Sequence, residues 1–175
     1  MKLQILIPQY KETEEIIKPM LDSLVVQQSV DFKEFGVIIV NDGTDVKLST
    51  DFLKSYPYQI DYYQAPHRGV SATRNTCLDY ASADYVMFCD ADDMFLSACG
   101  LYLIFREIDA GFDTLSCKFV EEGRTADGTV VYINKENDCT FVHGKIHRRQ
   151  YLIDNDIRWD PNLTIHEDSY FNVQC

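Results

Sequence analysis

The sequence predicts an α/β fold with a mostly parallel central sheet and helices on both faces. Three observations carry that expectation. Short apolar runs alternate with segments of helical periodicity through residues 1–93, the pattern of strand–helix–strand crossovers. One run, Tyr85-Val86-Met87-Phe88-Cys89, is unbroken and reads as a strand buried on both faces. Asp90, Asp92 and Asp93 follow it at once, and carboxylates are costly to bury unpaired, so they belong where the strand leaves the core. Ligands of open α/β sheets bind at the carboxyl ends of the strands. An Asp-x-Asp there offers hard oxygen ligands for Mg²⁺ or Mn²⁺ and leaves room for a shared phosphate. The same residues would also serve as an acidic turn ahead of the next helix.

In chain order, Gln4 to Ile7 is a short buried strand ended by Pro8. Ile16, Ile17, Met20, Leu21, Leu24 and Val25 recur at helical spacing, and Pro19 places the regular helix from about Pro19 to Gln28. Val37 to Val40 is a second buried strand, ended by Asn41-Asp42-Gly43-Thr44-Asp45. A helix around Ser49 to Tyr56 leads to a third strand, Ile60 to Gln64. Pro66-His67-Arg68-Gly69 forms a turn before a helix from about Val70 to Ala81, and the strand Tyr85 to Cys89 follows. After Asp93 the pattern changes. Ser97 is expected to cap a helix running to about Asp109 and closed by Gly111. Thr114 to Val120 and Thr129 to Ile133 alternate as strands about the turn Asp127-Gly128. A basic helix is expected near His147 to Asn155, and His166-Glu167-Asp168 opens a last helix. No repeat, low-complexity segment or linker interrupts the pattern. Residues 1–175 therefore read as a single domain in two parts, 1–93 and a more irregular 94–175.

Composition excludes several function classes. With 46% hydrophobic and 13% aromatic residues, the chain can build a packed core and is not a disordered tail. Its 28 acidic and 16 basic residues leave a formal charge of −12, which argues against nucleic acid or anionic lipid as a nonspecific partner. The six cysteines form no C-x-x-C pair and read as free thiols of a reducing compartment. No signal peptide and no apolar run of membrane-spanning length is legible. The expected location is the cytoplasm, with the inner face of the membrane as a working place.

Four strand-ending segments carry unusual polar residues: Pro8 to Glu12, Asn41 to Asp45, His67 to Asn75, and Asp90 to Asp93. A parallel sheet gathers them along one edge, in a crevice whose parts complement a nucleoside diphosphate. Tyr10 is suited to stack on a base and Asp42 to accept a hydrogen bond from a ring N–H. Arg74 can meet phosphate with its planar fork, and Asp92 can hold the cation. Taken singly, Asp42-Gly43 is also a common turn and Arg74 a solvated helix residue. Their occurrence in order at successive strand ends is harder to dismiss.

These residues carry a resemblance. Ile5-Leu6-Ile7-Pro8-Gln9-Tyr10-Lys11-Glu12, Ile38-Ile39-Val40-Asn41-Asp42-Gly43-Thr44, Arg68-Gly69-Val70-Ser71-Ala72-Thr73-Arg74-Asn75 and Phe88-Cys89-Asp90-Ala91-Asp92-Asp93 resemble the sequential signatures of family 2 glycosyltransferases. His166-Glu167-Asp168-Ser169-Tyr170-Phe171 resembles the Glu-Asp motif that follows them. The resemblance implies the GT-A fold, a nucleotide-binding half at 1–93, an acceptor-side half at 94–175, and inverting transfer. It implies that Pro8 and Tyr10 flank the base, Asp42 binds it, and Glu12 and Ala91 belong to the same nucleotide site. Arg74 would sit near the diphosphate, Asp90 at the ribose and Asp92 on the metal. Asp168 would be the catalytic base, with Glu167 beside it. Lys11 replaces the usual Asn, Asn41 the usual first Asp, and His166 stands where Gly is common.

Other residues have weaker claims. His143 and His147 are four apart, a spacing that suits a metal pair on one helix face, but Gly144 between them weakens a helix. His143-Gly144-Lys145 is an alternative lining for the acceptor side, with Lys145 near an anionic group. His147-Arg148-Arg149 reads as a solvated helix face, Cys89 as inert packing, and Trp159 as either core or a sugar-stacking ring. The expected activity is transfer from a nucleoside-diphosphate sugar, a UDP-sugar, to an acceptor hydroxyl, with Mn²⁺ or Mg²⁺ as cofactor. The expected acceptor is a glycan or a lipid-linked molecule of polysaccharide or glycoconjugate synthesis. Family members usually continue beyond a Glu-Asp motif, so acceptor-binding or peripheral membrane-docking parts are expected outside residues 1–175. A nucleotidyltransferase and a non-catalytic sugar-nucleotide-binding domain are the alternatives.

Overall fold

The computed structural model describes residues 1–175. The first part is β1 (Leu3–Gln9), α1 (Glu14–Val25), β2 (Phe35–Asp42), α2 (Thr50–Lys54), β3 (Gln59–Ala65), α3 (Val70–Tyr80) and β4 (Tyr85–Phe88). The second is α4 (Gly100–Ala110), β5 (Thr114–Ser116), β6 (Phe119–Arg124), β7 (Val130–Lys135), β8 (Lys145–Arg148), α5 (Arg149–Asp154) and α6 (Glu167–Gln174). One sheet runs β3-β2-β1-β4-β8-β5, and β6-β7 stands apart as a hairpin. The first four strands are mutually parallel, β8 is antiparallel to β4, and β5 is antiparallel to β8.

Strand periodicity of two splits the core into two layers. Leu3, Ile5 and Ile7 of β1, with Val37 and Ile39 of β2, pack against Ile17, Met20, Leu21 and Leu24 of α1 and Leu101, Ile104 and Phe105 of α4. Leu6, Ile38, Val40, Val86 and Phe88 face the other way, onto Cys77 and Leu78 of α3, Leu152 of α5, Trp159 and Phe171 of α6. Helices therefore cover both faces. No helix is long and apolar enough to cross a membrane.

Four elements depart from the sequence reading. Helix α1 starts at Glu14, ahead of Pro19. Pro19 lies on the exposed side, so water can reach the Glu15 carbonyl that its missing N–H leaves free. Ser97 does not cap α4. Cys99 holds the N-cap position, and the free N–H of Leu101 is met by Gln27 Oε1 at 2.9 Å, a cap supplied from a distant part of the chain. Gly111 does close α4, at φ 84°. The run Thr114 to Val120 splits: Thr114–Ser116 joins the main sheet beside β8, while Phe119 begins the hairpin that turns at Gly128. His147 lies on strand β8 rather than a helix, fully buried between Val86 and Thr114. The basic run thus has no common face. Arg148 pairs with Asp113, and Arg149 donates to the Ala83 carbonyl at 3.0 Å.

Candidate functional site

The chain steps outward from β1 to β3, and α3 then returns it to β4 on the other side of β1. The switch point of the sheet therefore lies between β1 and β4, where open α/β folds place their ligands. The pairings Gln9↔Asn41 and Asp42↔Ala65 set the ends of β1, β2 and β3 level. Above them opens a crevice of about 440 Å³. Pro8, Tyr10, Glu12, Asp42, Arg74, Asp90, Ala91, Asp92 and Glu167 all line it, so the four strand ends and the start of α6 meet as expected. Asp168 lies behind this wall, in contact with Arg74.

The floor is held by amides. Gln9, fully buried, donates to the Glu12 carbonyl at 2.7 Å and accepts from Asn41 Nδ2 at 3.0 Å. Asn41 donates in turn to the Val46 carbonyl at 2.7 Å, fixing the loop after β2. An Asn here supplies the donors that an Asp would lack. Glu12 Oε2 accepts from the Tyr10 N–H at 2.7 Å and closes the loop after β1. Burial pushes the Asp42 carboxyl up, but hydrogen bonds from the Arg68 N–H, Thr73, His67 and the Gly69 N–H outweigh it and hold the group below its ordinary pKa.

Arg74 joins the two parts of the chain. Its side chain is 3% exposed, with one nitrogen 2.8 Å from Asp90 Oδ1 and another 2.7 Å from Asp168 Oδ1. Glu167 approaches the same fork at 3.7 Å. Burial disfavours the charge, and the carboxylates more than compensate, raising its pKa. The guanidinium lies 4.4 Å over the Trp159 ring, which stacks on Phe171 of α6 at 4.2 Å. Asn75, next in sequence, bonds the Trp159 backbone on both sides. Trp159 is thus core, and it supports Arg74 from below.

Asp168 does not cap its own helix. Its Oδ2 accepts from the Val142 N–H at 3.0 Å, and His166 occupies the N-cap position of α6. His166 is left-handed, at φ 62°, a conformation that Gly adopts without penalty.

The acidic loop after β4 suits a hard cation. Ligand atoms of Asp90, Asp93 and His143 lie within 4.8 Å of one another, and Asp92 borders the same crevice. Asp92 is pushed up by partial burial and by Asp93, Asp90 and Glu12, a crowding that a divalent cation would relieve. The His143–Asp93 contact at 2.9 Å raises the His143 pKa. The pairing of His143 with His147 is not formed, because His147 is enclosed in the sheet. Lys145 is buried on β8, and its ammonium donates to the Phe141 carbonyl. Cys89 is buried, and desolvation raises its thiol well above the usual range. His67 and Thr73 also line the crevice and were not singled out by the sequence. Their one signal was their place in the polar segment that follows the third strand.

The profile of glycosyl transferase family 2 matches residues 4–165. A teichoic acid poly(glycerol phosphate) polymerase of Staphylococcus epidermidis is 32% identical, over 99% of this chain and 26% of its own length. The solved structure of S. aureus TarS 1-349 superposes with a TM-score of 0.77 at 24% identity, over 99% of this chain and 55% of that one. A mannosyltransferase from Pyrobaculum calidifontis, solved with GDP-Man and Mn²⁺, superposes with a TM-score of 0.70 at 18% identity, over 97% of this chain and 50% of that one. The chain spans 26% of the polymerase and 55% of the TarS fragment, less than two thirds of either. These neighbours share the GT-A fold.

Proposed function

This chain belongs to glycosyl transferase family 2, and from that premise we propose that it transfers a sugar from a UDP-sugar to an acceptor hydroxyl with inversion. The observation that carries the reading is one crevice holding three kinds of group in order. Tyr10 and Asp42 at the ends of β1 and β2 are suited to the base, Asp90 and Asp92 after β4 to the ribose and the metal-bound diphosphate, and Glu167 at the start of α6 to the acceptor side; all line the crevice. A structure of TarS contains UDP-GlcNAc, which supports a uridine donor.

Asp42, held ionised, accepts the uracil N3–H and repels the N3 lone pair of cytosine. Asp90 faces the ribose, and Asp92, with Asp90, Asp93 and His143 nearby, would hold Mn²⁺ or Mg²⁺. Such an ion stabilises charge on a departing diphosphate. Arg74, fixed on two carboxylates and Trp159, sets the wall between donor and acceptor sides. An acceptor hydroxyl must lose its proton as the new bond forms, and the Glu167–Asp168 pair is suited to take it. Asp168 keeps a lone pair on each oxygen beyond those used by Arg74 and the Val142 N–H, and Glu167 faces the crevice directly. The acceptor we propose is a cell-surface polymer or its lipid-linked precursor, in line with the teichoic acid enzymes among its relatives. Free thiols throughout fit work in the cytoplasm.

A panel of nucleotide sugars, screened by thermal shift with Mn²⁺ and with EDTA and then assayed for hydrolysis, tests this reading. A UDP-sugar that stabilises the protein only with metal and is slowly hydrolysed is expected. Binding without turnover would instead mark a regulatory sugar-nucleotide domain.

A further inference from the structure

Tyr10 and Asp42 are the two groups proposed to receive the base, and one side chain holds both. The His67 imidazole stacks on Tyr10, with ring centroids 4.7 Å apart and planes 22° from parallel. Its Nδ1 lies 2.8 Å from Asp42 Oδ2. Asp42 is held below its ordinary pKa and is ionised at neutral pH. An ionised carboxylate only accepts, so Nδ1 carries the proton and donates. The other donors to the carboxylate are the Arg68 N–H, 2.8 Å from Oδ1, the Gly69 N–H, 3.0 Å from Oδ2, and the Thr73 side chain. The remaining lone pair of Oδ2 is the one the imidazole occupies.

A planar nitrogen heterocycle with its face on Tyr10 and a ring N–H on Asp42 makes the contacts expected of uracil. The two cannot share that face of Tyr10. Rings 4.7 Å apart are already in stacking contact and leave no space for a third between them.

The backbone beneath is pinned while the side chain is free. A Cβ on Gly43, at φ 71°, would fall 2.4 Å from the His67 nitrogen, so this approach requires glycine. The adjacent N–H groups are tied to Asp42. The His67 side chain, by contrast, is 56% exposed and can rotate into water without disturbing these contacts.

We infer that His67 is an internal occupant of the base site, holding the contacts of Tyr10 and Asp42 in the free protein and leaving them when the donor binds. The inference rests on the uridine reading of this crevice. His67 then weakens donor binding by the fraction of time it fills the site, and it sets a threshold that only a base bonding Asp42 overcomes.

Calorimetry of uridine and of UDP in Mg²⁺ against wild type and His67→Ala tests it, alongside NMR of the ¹⁵N-labelled His67 ring during a UDP titration of wild type in Mg²⁺. The expected result is that His67→Ala binds both ligands more tightly, by a similar factor of roughly 5–20, the net worth of one hydrogen bond and a stack made by a half-exposed side chain. The wild-type ring signals should move toward those of a solvated imidazole. Unchanged or weaker binding by the variant overturns the inference and leaves the uridine reading standing. Ring signals unmoved at saturating UDP overturn it as well, even if the variant does not fold. No UDP binding by either protein overturns the uridine reading and the inference with it.

Discussion

Arg74→Met tests the join between the two parts of the chain. Methionine keeps much of the side-chain volume and the contact with Trp159 but removes the charge. Asp168, 15% exposed, and Asp90, 35% exposed, then share a site with Glu167 and no cation. Removing one partner of a buried ion pair costs about 3–5 kcal/mol, because the other charge is left uncompensated. Asp90 and Glu167 are partly solvated and recover some of that loss, so the expected cost is the low end, about 3 kcal/mol. For a domain whose stability is of order 5–15 kcal/mol this is a large fraction. Urea unfolding followed by circular dichroism reads it directly, as a midpoint lowered by about 1–3 M at an ordinary m-value. Arg74→Lys, which keeps the charge but not the fork, should fall between the two. If Arg74→Met unfolds within about 1 kcal/mol of wild type, below the range for a broken buried pair, the clamp is not what holds α6 to β4.

Three further outcomes follow from the same geometry. Asp92→Asn should abolish the Mn²⁺-dependent part of UDP affinity, a loss of tenfold or more by calorimetry on the order of one charged ligand; equal wild-type affinity in Mn²⁺ and EDTA contradicts the metal role. Asp168→Asn should lower sugar transfer by roughly 10²–10⁴-fold while UDP affinity is kept. It should also lower the melting temperature, since Asp168 pairs with Arg74, so rates belong to the folded fraction; normal transfer by this variant, with loss in Glu167→Gln, would move the base to Glu167. Burial holds His147 at a pKa of about 4, below its unfolded value near 6.5, so between these values the unfolded chain binds more protons. Stability should therefore be complete above pH 6.5 and decline toward pH 4 by up to about 3 kcal/mol, and a wild-type profile no steeper than that of His147→Gln in urea titrations contradicts this.

The first part was legible because three of its four strands carry continuous apolar runs and each strand ends in a polar segment. Parallel pairing then forces Pro8, Asp42, Arg74 and Asp90 together, since the crossovers leave all four strand ends on one edge. The second part was harder. His147 and Lys145 look basic and exposed in sequence, yet they sit buried on a strand whose partners, Met87 and Leu115, lie far away in the chain. Nothing local announces such antiparallel edges. The start of α4 was misplaced for a similar reason, as the N–H of its second residue, Leu101, is capped by Gln27 from a distant part of the chain. Arg74 lines the crevice, and its fork meets Asp90 and Asp168. Three separate segments supply that arrangement, and spacing along the chain does not encode it.

Asp42, at the end of β2, is the group proposed to recognise uracil. Calorimetry of UDP and CDP in the presence of Mn²⁺, on wild type and Asp42→Ala, tests it most directly. Wild type should prefer UDP by roughly 5–150-fold, as a repulsive or missing partner in a polar site costs about 1–3 kcal/mol. Asp42→Ala should bind UDP more weakly and lose most of that preference. Equal binding of UDP and CDP by wild type, or an unchanged preference in Asp42→Ala, would contradict it.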